Sequence, residues 1–374
     1  MRRAIGPTAT ACLSIAMALS WQRAAIAADG ITTTVSGYGT VGGTFTSDSD
    51  YAYHHDPSEW TAASNPIDIG LESRLGVQVI VDFGSGFSVT GQELAKERAA
   101  DEFSPGTEWL FVQYSPDADF KLRLGRVVLA TFLESDSRNV GYTAPWLNAP
   151  NEVYGSEEFD YLDGAQALWH HNYGQIGIGL EGSYGSTSAP YAVDGETITI
   201  TAKQAYNLAV SFEYQDLMLR VAQTDLNVPL HPTLSPTLSF PFTLHDSFTS
   251  VGLQYDNGTA ILMSEWAQRT ENSVPYVNEP ELQSRQWYVA GGWRFGKFTP
   301  LLTYGVFNPS ASLVEPKGYF GTFSASLRYD IARNIALKAE VSRAQAGNET
   351  YWLAPNETSS ERVNVYSLGA DFVF

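Results

Sequence analysis

IDIGLESRLGVQVIVDF, residues 67–83, decides the fold. Its odd positions read Ile67, Ile69, Leu71, Ser73, Leu75, Val77, Val79, Val81 and Phe83, and its even positions Asp68, Gly70, Glu72, Arg74, Gly76, Gln78, Ile80 and Asp82. Successive side chains of a strand point to opposite faces, so this alternation gives one apolar face and one polar face. Strands of soluble sandwiches average about 5–6 residues. This run is long enough for the roughly 9–11 residues with which a strand crosses a bilayer.

The same alternation recurs along the chain. At 175–185 it sets Ile176, Ile178, Leu180 and Tyr184 against Gln175, Gly177, Glu181 and Ser183, and at 206–214 it sets Tyr206, Leu208, Val210, Phe212 and Tyr214 against Asn207, Ser211 and Glu213. Sixteen strands are expected, at 31–46, 67–83, 87–96, 107–115, 120–128, 159–171, 175–185, 204–214, 217–226, 247–255, 259–269, 285–295, 298–307, 319–330, 335–345 and 362–374. Seven connections are tight, at 84–86, 116–119, 172–174, 215–216, 256–258, 296–297 and 331–334, and they alternate with eight long ones. Several of the short ones carry the Gly, Asn and Asp that hairpin turns need. An all-β chain with short turns at one end and long loops at the other reads as a closed transmembrane antiparallel β-barrel. Closure leaves no hydrogen-bonding edge facing lipid. An even strand count puts both chain ends on the short-turn side, the periplasm.

Composition narrows the class. The 374 residues include 22 Lys plus Arg against 41 Asp plus Glu, for a net charge of −19. Nucleic-acid binding calls for clustered cations, so no such partner is expected. After residue 30 no apolar run reaches the roughly 18 residues of a spanning helix. At the N-terminus, Arg2 and Arg3 precede the apolar stretch 9–19, and Ala25-Ile26-Ala27 forms a small-x-small cleavage site. This pattern is a secretory signal over 1–27, with the mature domain at 28–374. Its removal takes Arg2, Arg3, Arg23 and Cys12, leaving 19 basic against 41 acidic residues, a net −22 and no thiol. Hydrogen bonding and packing, not disulfides, then hold the exported chain together.

Aromatic residues flank the tight turns (Phe83, Phe87, Tyr114, Phe120, Tyr173, Phe295, Phe298, Tyr329) and recur near the long loops (Phe45, Tyr184, Trp266, Trp287, Tyr319). They form the two interfacial girdles of a membrane barrel. The chain ends with Tyr366, Leu368, Ala370, Phe372 and Phe374 on one face. This resembles the C-terminal signature of outer-membrane proteins. The third long connection, 129–158, follows the fifth strand, and with residues 125–128 it reads GRVVLATFLESDSRNVGYTAPWLNAPNEVYG up to Gly155. Here the sequence resembles the Gram-negative trimeric porins, the general diffusion porins. The segment SASLRYDIARNIALKAEVSRAQ, 324–345, is similar to their penultimate hairpin. The resemblance covers the mature chain in topology, but in wording only these segments and the C-terminus.

It implies a third loop folded inward to narrow a water-filled pore, with loop carboxylates facing a basic patch on the wall. The loop carries Glu134, Asp136, Glu152, Glu157 and Glu158 against Arg138. Strand phase makes Arg74, Lys121 and Arg123 the inward basic residues; Arg126, at the loop's base, is out of phase. The expected constriction set is therefore Glu134, Asp136, Arg138, Arg74, Lys121, Arg123 and Arg126, with residues 132–142 inside the barrel. Opposed charges across a narrow lumen would set a transverse field. The resemblance further implies a homotrimer in the outer membrane, in contact with its lipid and lipopolysaccharide, whose flat interface uses Gly37, Gly39, Val41 and Gly43.

The functional expectation is passive diffusion of small hydrophilic solutes and ions, with a mild cation preference from the net charge. The alternatives are a channel preferring a class such as organic anions or sulfate, a barrel enzyme, and an adhesin with a plugged lumen. No catalytic constellation, cofactor motif or metal motif is found, so neither enzyme activity nor a cofactor is expected. His54-His55 with Asp48, Asp50 and Asp56 reads as an acidic surface loop and His170-His171 as interfacial.

Overall fold

The computed structural model describes residues 24–28, 30–48, 51–55, 63–98, 103–157, 159–193, 196–230, 233–235, 238–239, 242–272, 282–309, 319–347, 353–355 and 361–374. The barrel strands are β1 Ile31–Thr46, β2 Arg74–Gly84, β3 Phe87–Lys96, β4 Ser104–Tyr114, β5 Phe120–Val128, β6 Tyr161–Tyr173, β7 Ile176–Val193 and β8 Glu196–Tyr214. They continue as β9 Leu217–Leu230, β10 Phe242–Asp256, β11 Ala260–Glu271, β12 Leu282–Trp293, β13 Phe298–Pro309, β14 Tyr319–Ala332, β15 Ile335–Gly347 and β16 Glu361–Val373. Each pairs antiparallel with its sequence neighbours, and β16 closes on β1 from Tyr38↔Val373 to Thr46↔Val365. The result is a closed sixteen-stranded antiparallel barrel, as the alternation required.

The period-two pattern becomes two surfaces. Outward residues such as Leu110, Leu124, Leu208 and Leu368 are each more than half exposed, whereas the inward Asn207, Thr224 and Gln166 are buried. One line of lateral partners displays the strand tilt. It runs Asp82, Ser88, Gln113, Arg123, Gln166, Ser183, Asn207, Thr224, Phe248 and Arg269, from a tight turn to the long-loop end. The tight turns use left-handed backbone where expected: Gly84, Ser85 and Gly86 have φ of 77, 52 and 83°. Asp82 Oδ1 accepts the Gly84 N–H at 2.8 Å, and Asp256 Oδ1 accepts that of Gly258 at 2.9 Å. Such local side-chain bonds fix a turn and so fix register.

The boundaries depart furthest from the sequence reading at two places. The strand expected over 67–83 begins at Arg74. Asp68 Oδ1 accepts the N–H groups of Gly70 and Leu71 at 2.8 and 3.0 Å, folding 68–71 into a turn. The apolar phase therefore breaks, and Leu71 and its neighbour Glu72 are both buried. In the other direction, β7 and β8 extend over 186–193 and 196–203, outside the strands expected from sequence. Thr197, Thr199 and Thr201 alternate there with Ile198 and Ile200, and β-branched residues favour the ladder.

Above Gly37 and Gly39 lie the rings of Phe374 and Phe372, close enough to leave no room for a Cβ, and Ile67 covers Gly43. The glycine row expected to form a flat intersubunit stripe is thus roofed by side chains of the same chain. The short strand Ala24–Ala28 pairs with Ile31 to Val35 and spans the expected cleavage point, which would leave only Ala28 of it.

Candidate pore constriction

Residues 129–160 leave β5 at the long-loop end and make bonds to widely separated parts of the inner wall. First, the Ala130 carbonyl accepts from Asn207 Nδ2 at 3.1 Å and Arg220 Nη2 at 2.9 Å, on β8 and β9. Ser250 Oγ on β10 donates to the Thr131 carbonyl at 2.7 Å, and the Leu133 N–H donates to Glu265 Oε1 on β11 at 2.8 Å. Phe132 packs edge-on to Tyr154 and Phe248, and Trp146 edge-on to Tyr288, all of them buried. An apolar cluster inside a polar lumen attaches the loop to one side.

The loop then descends. Arg328 Nη1 on β14 donates to the carbonyls of Tyr142 and Ala144 at 2.6 and 3.0 Å. Lys338 Nζ on β15 donates to those of Gly141 and Trp146 at 2.6 and 2.7 Å and pairs with Asp371 on β16 at 2.8 Å. The Tyr142 hydroxyl donates to the Arg333 carbonyl at 2.7 Å, in the tight turn at the opposite end from the loop's root. The returning limb is a one-turn helix, α1 Asn151–Tyr154. It is held by Asn151 Nδ2 on the Tyr53 hydroxyl at 3.0 Å and by Thr322 Oγ1 donating to Glu152. Apart from Tyr53, Arg333 and the Lys96 contact at the loop's far end, these anchors lie on β8–β11 and β14–β16, whereas β2–β7 present Gln78, Gln92, Gln113 and Arg123 to the remaining space.

Of the expected set, Asp136 and Arg123 belong together. Asp136 is exposed and has no hydrogen-bond or ion-pair partner among the described residues, and it acts electrostatically on Arg123, after the larger effect of Glu181. Arg123 Nε donates to Gln113 Oε1 at 2.8 Å and Nη1 to Gln166 Oε1 at 3.0 Å, over the ring of Phe111. Its bonds go to neutral oxygens, so no carboxylate within contact cancels its charge. Lys121 shares that inward phase, nearer the tight turns, and is exposed.

The others are elsewhere. Burial, then repulsion by Asp136, raises the Glu134 carboxyl to about 7, against the pull of Lys338. Glu152 is likewise raised to about 7 by burial, opposed by its bond from Thr322. Arg138 turns back to Asp160 at 2.5 Å, beside Lys96 at 3.4 Å. Burial acts to raise Asp160, but Arg138, Lys96 and Arg98 prevail and hold it below the ordinary range. Arg74 lies above this level, cross-strand from Lys96. Arg126 pairs with both oxygens of the half-exposed Asp163 at 2.8 Å and covers the Tyr161 ring, on the outward face and away from Asp136. Glu157 is buried, and Glu158 lies outside the described residues, as do Asp50 and Asp56. No group of three His, Cys, Asp or Glu suited to a metal occurs among the described residues.

Sequence reasoning missed Arg220, Arg269, Arg328 and Lys338, four cations that grip the loop backbone, and Glu181, which is held by Gln166 at 2.8 Å and Arg220 at 3.2 Å. Each lies on the inward phase of its strand, so the alternation that selected Arg123 would have selected them.

No family model and no curated relative matches the chain. Solved structures do. OmpT, an outer membrane protein of Vibrio cholerae, superposes with a TM-score of 0.61 at 14% identity, over 94% of this chain and 100% of that one. The outer membrane channel DcaP of Acinetobacter baumannii gives 0.62 at 12% identity over 94% and 100%. An anion-selective porin from Comamonas acidovorans gives 0.59 at 13% identity over 91% and 100%. Likeness at this identity shows the fold, which is that of the outer-membrane channel barrels.

Proposed function

We propose that the chain is an outer-membrane channel through which small hydrophilic solutes and ions diffuse passively, exported by cleavage of residues 1–27 and assembled as a homotrimer. The observation that carries this reading is loop 129–160, hydrogen-bonded to opposite parts of the inner wall while leaving Asp136 exposed on the side of Arg123. A structural plug would have its charges paired; here Asp136 and inward cations such as Arg123 and Lys121 are left to act on whatever passes. The net −22 of the mature chain and Asp136 favour a mild preference for cations.

A second reading, a channel preferring organic anions, draws on Arg123, whose neutral partners leave its charge in force. Planar-bilayer recording decides between them. A pore that conducts, with reversal potentials in a KCl gradient on the cation side, supports the first reading. An anion preference abolished by Arg123→Ala supports the second, and absence of conductance from correctly folded protein refutes both.

A further inference from the structure

Gln166, on β6, is an inward residue only 1% exposed, and both ends of its amide are bonded to charged groups. Its Oε1 accepts from Arg123 Nη1 on β5 at 3.0 Å, and its Nε2 donates to Glu181 Oε1 on β7 at 2.8 Å. The reversed amide would set donor against donor and acceptor against acceptor, so the two charges fix which way it points. Arg123 is directly across from Gln166 on one side, and Glu181 is diagonally across on the other. The amide thus stands between a cation and an anion that could otherwise meet. Of the surrounding charges Glu181 acts most strongly on Arg123, yet the cation bonded to Glu181 is Arg220, through Oε2 at 3.2 Å. Without an amide at 166, Arg123 Nη1 and Glu181 Oε1 would lose these partners, and charged groups left partly desolvated gain by pairing with each other. Such a pair would leave the loop alone. Oε1 is the oxygen released, while Oε2 keeps Arg220, whose Nη2 holds the Ala130 carbonyl at 2.9 Å.

We propose that Gln166 is a specificity-determining residue of the pore, which holds Arg123 and Glu181 apart and so keeps the Arg123 charge available to the lumen. It acts by positioning; buried itself, it is not a contact for solutes. The inference rests on the channel reading above and deepens it, because the field that a permeating ion meets then depends on a neutral side chain.

The test compares reversal potentials in a KCl gradient for wild type, Arg123→Ala, Gln166→Ala, Glu181→Gln and the double variant of the last two. Gln166→Ala removes no charge, yet it should move the reversal potential toward cations by at least about half of the shift that Arg123→Ala causes. In the Glu181→Gln background the same substitution should do little, since no carboxylate remains there for Arg123 to join. A role in packing alone would give equal shifts in both backgrounds. The exchange Gln166→Glu with Glu181→Gln keeps volume and net charge, so it tests the idea should the alanine variant fail to fold. It places a carboxylate directly on Arg123 and should shift selectivity toward cations as Arg123→Ala does. Folded wild-type protein that passes no current overturns the channel reading and this inference together. A conducting pore whose selectivity stays at the wild-type value in Gln166→Ala or in the exchange, or shifts equally with and without Glu181, overturns the inference alone.

Discussion

Lys338 is the most informative residue to remove. It is 3% exposed, and its ammonium holds the Gly141 and Trp146 carbonyls at 2.6 and 2.7 Å and Asp371 at 2.8 Å. Lys338→Met keeps the volume and deletes all three bonds. Breaking one member of a buried ion pair costs about 3–5 kcal/mol, because the partner stays buried and charged. The loss at the loop is separate: two charge-assisted bonds to carbonyls, at about 1.5–3 kcal/mol each, hold residues 141–146 to the wall. Without them the loop should leave the wall far more often, by a factor of roughly 10² or more at the low end of that range. Adding Asp371→Asn distinguishes the two losses. The amide oxygen of the introduced asparagine can still accept from Thr40 Oγ1, which donates to Asp371 Oδ1 at 2.6 Å in the native chain, so the double variant should recover most of the thermal stability. It should not recover the loop. Single-channel traces of both variants should therefore show excess open-channel noise and brief larger openings, while unfolding in detergent separates them. A quiet, wild-type current from folded Lys338→Met would refute the view that this lysine positions the loop.

Cation preference should weaken as pH falls through about 7, because Glu134 and Glu152 take up protons there and the loop loses negative charge; Glu134→Gln should flatten the reversal-potential profile. The same raised values mean that between the ordinary 4.5 and about 7 the unfolded chain ionises these groups and the folded one does not. Stability should then decline as pH rises across that window and level off above it, which denaturant unfolding at several pH values checks. Arg126→Ala should leave conductance and selectivity unchanged, since its ion pair with Asp163 faces outward; a selectivity shift as large as that of Arg123→Ala would contradict this. Gly37→Leu should displace the Phe374 ring and reduce the heat-resistant folded form on electrophoresis, whereas an unaffected yield would mean the ring has another seat.

The fold was legible because a membrane barrel repeats one instruction sixteen times. At each strand, lipid on one side and water on the other impose the same period, and hairpin turns punctuate it. The reading failed where a local bond competed with the pattern. Ile67, Ile69 and Leu71 keep the apolar beat, yet the Asp68 carboxylate captures two backbone N–H groups and ends the strand before Arg74. It also stopped short at 186–193 and 196–203, where threonines look like loop composition but alternate with isoleucine in a continued ladder.

The site was legible only in part, and the reason is physical. Strand phase tells which charges face inward, but not what each inward charge meets, because the loop's path is set by contacts between residues far apart in sequence. Glu134 and Asp136, two positions apart, show the difference. Glu134 has its N–H on the Tyr154 hydroxyl at 3.3 Å, beside the aromatic cluster, and is partly buried, so that desolvation favours its neutral form. Asp136 is exposed and meets Arg123 across the space. Sequence assigns both the same role; burial gives one the task of packing and leaves the other as the loop's charge in the lumen. The cations divide in the same way. Arg220, Arg328 and Lys338 are spent on loop carbonyls, and glutamines hold Arg123 without neutralising it. The transverse field of the lumen is therefore carried by fewer charges than the sequence offers, and Asp136 and Arg123 are the pair to which it should be most sensitive.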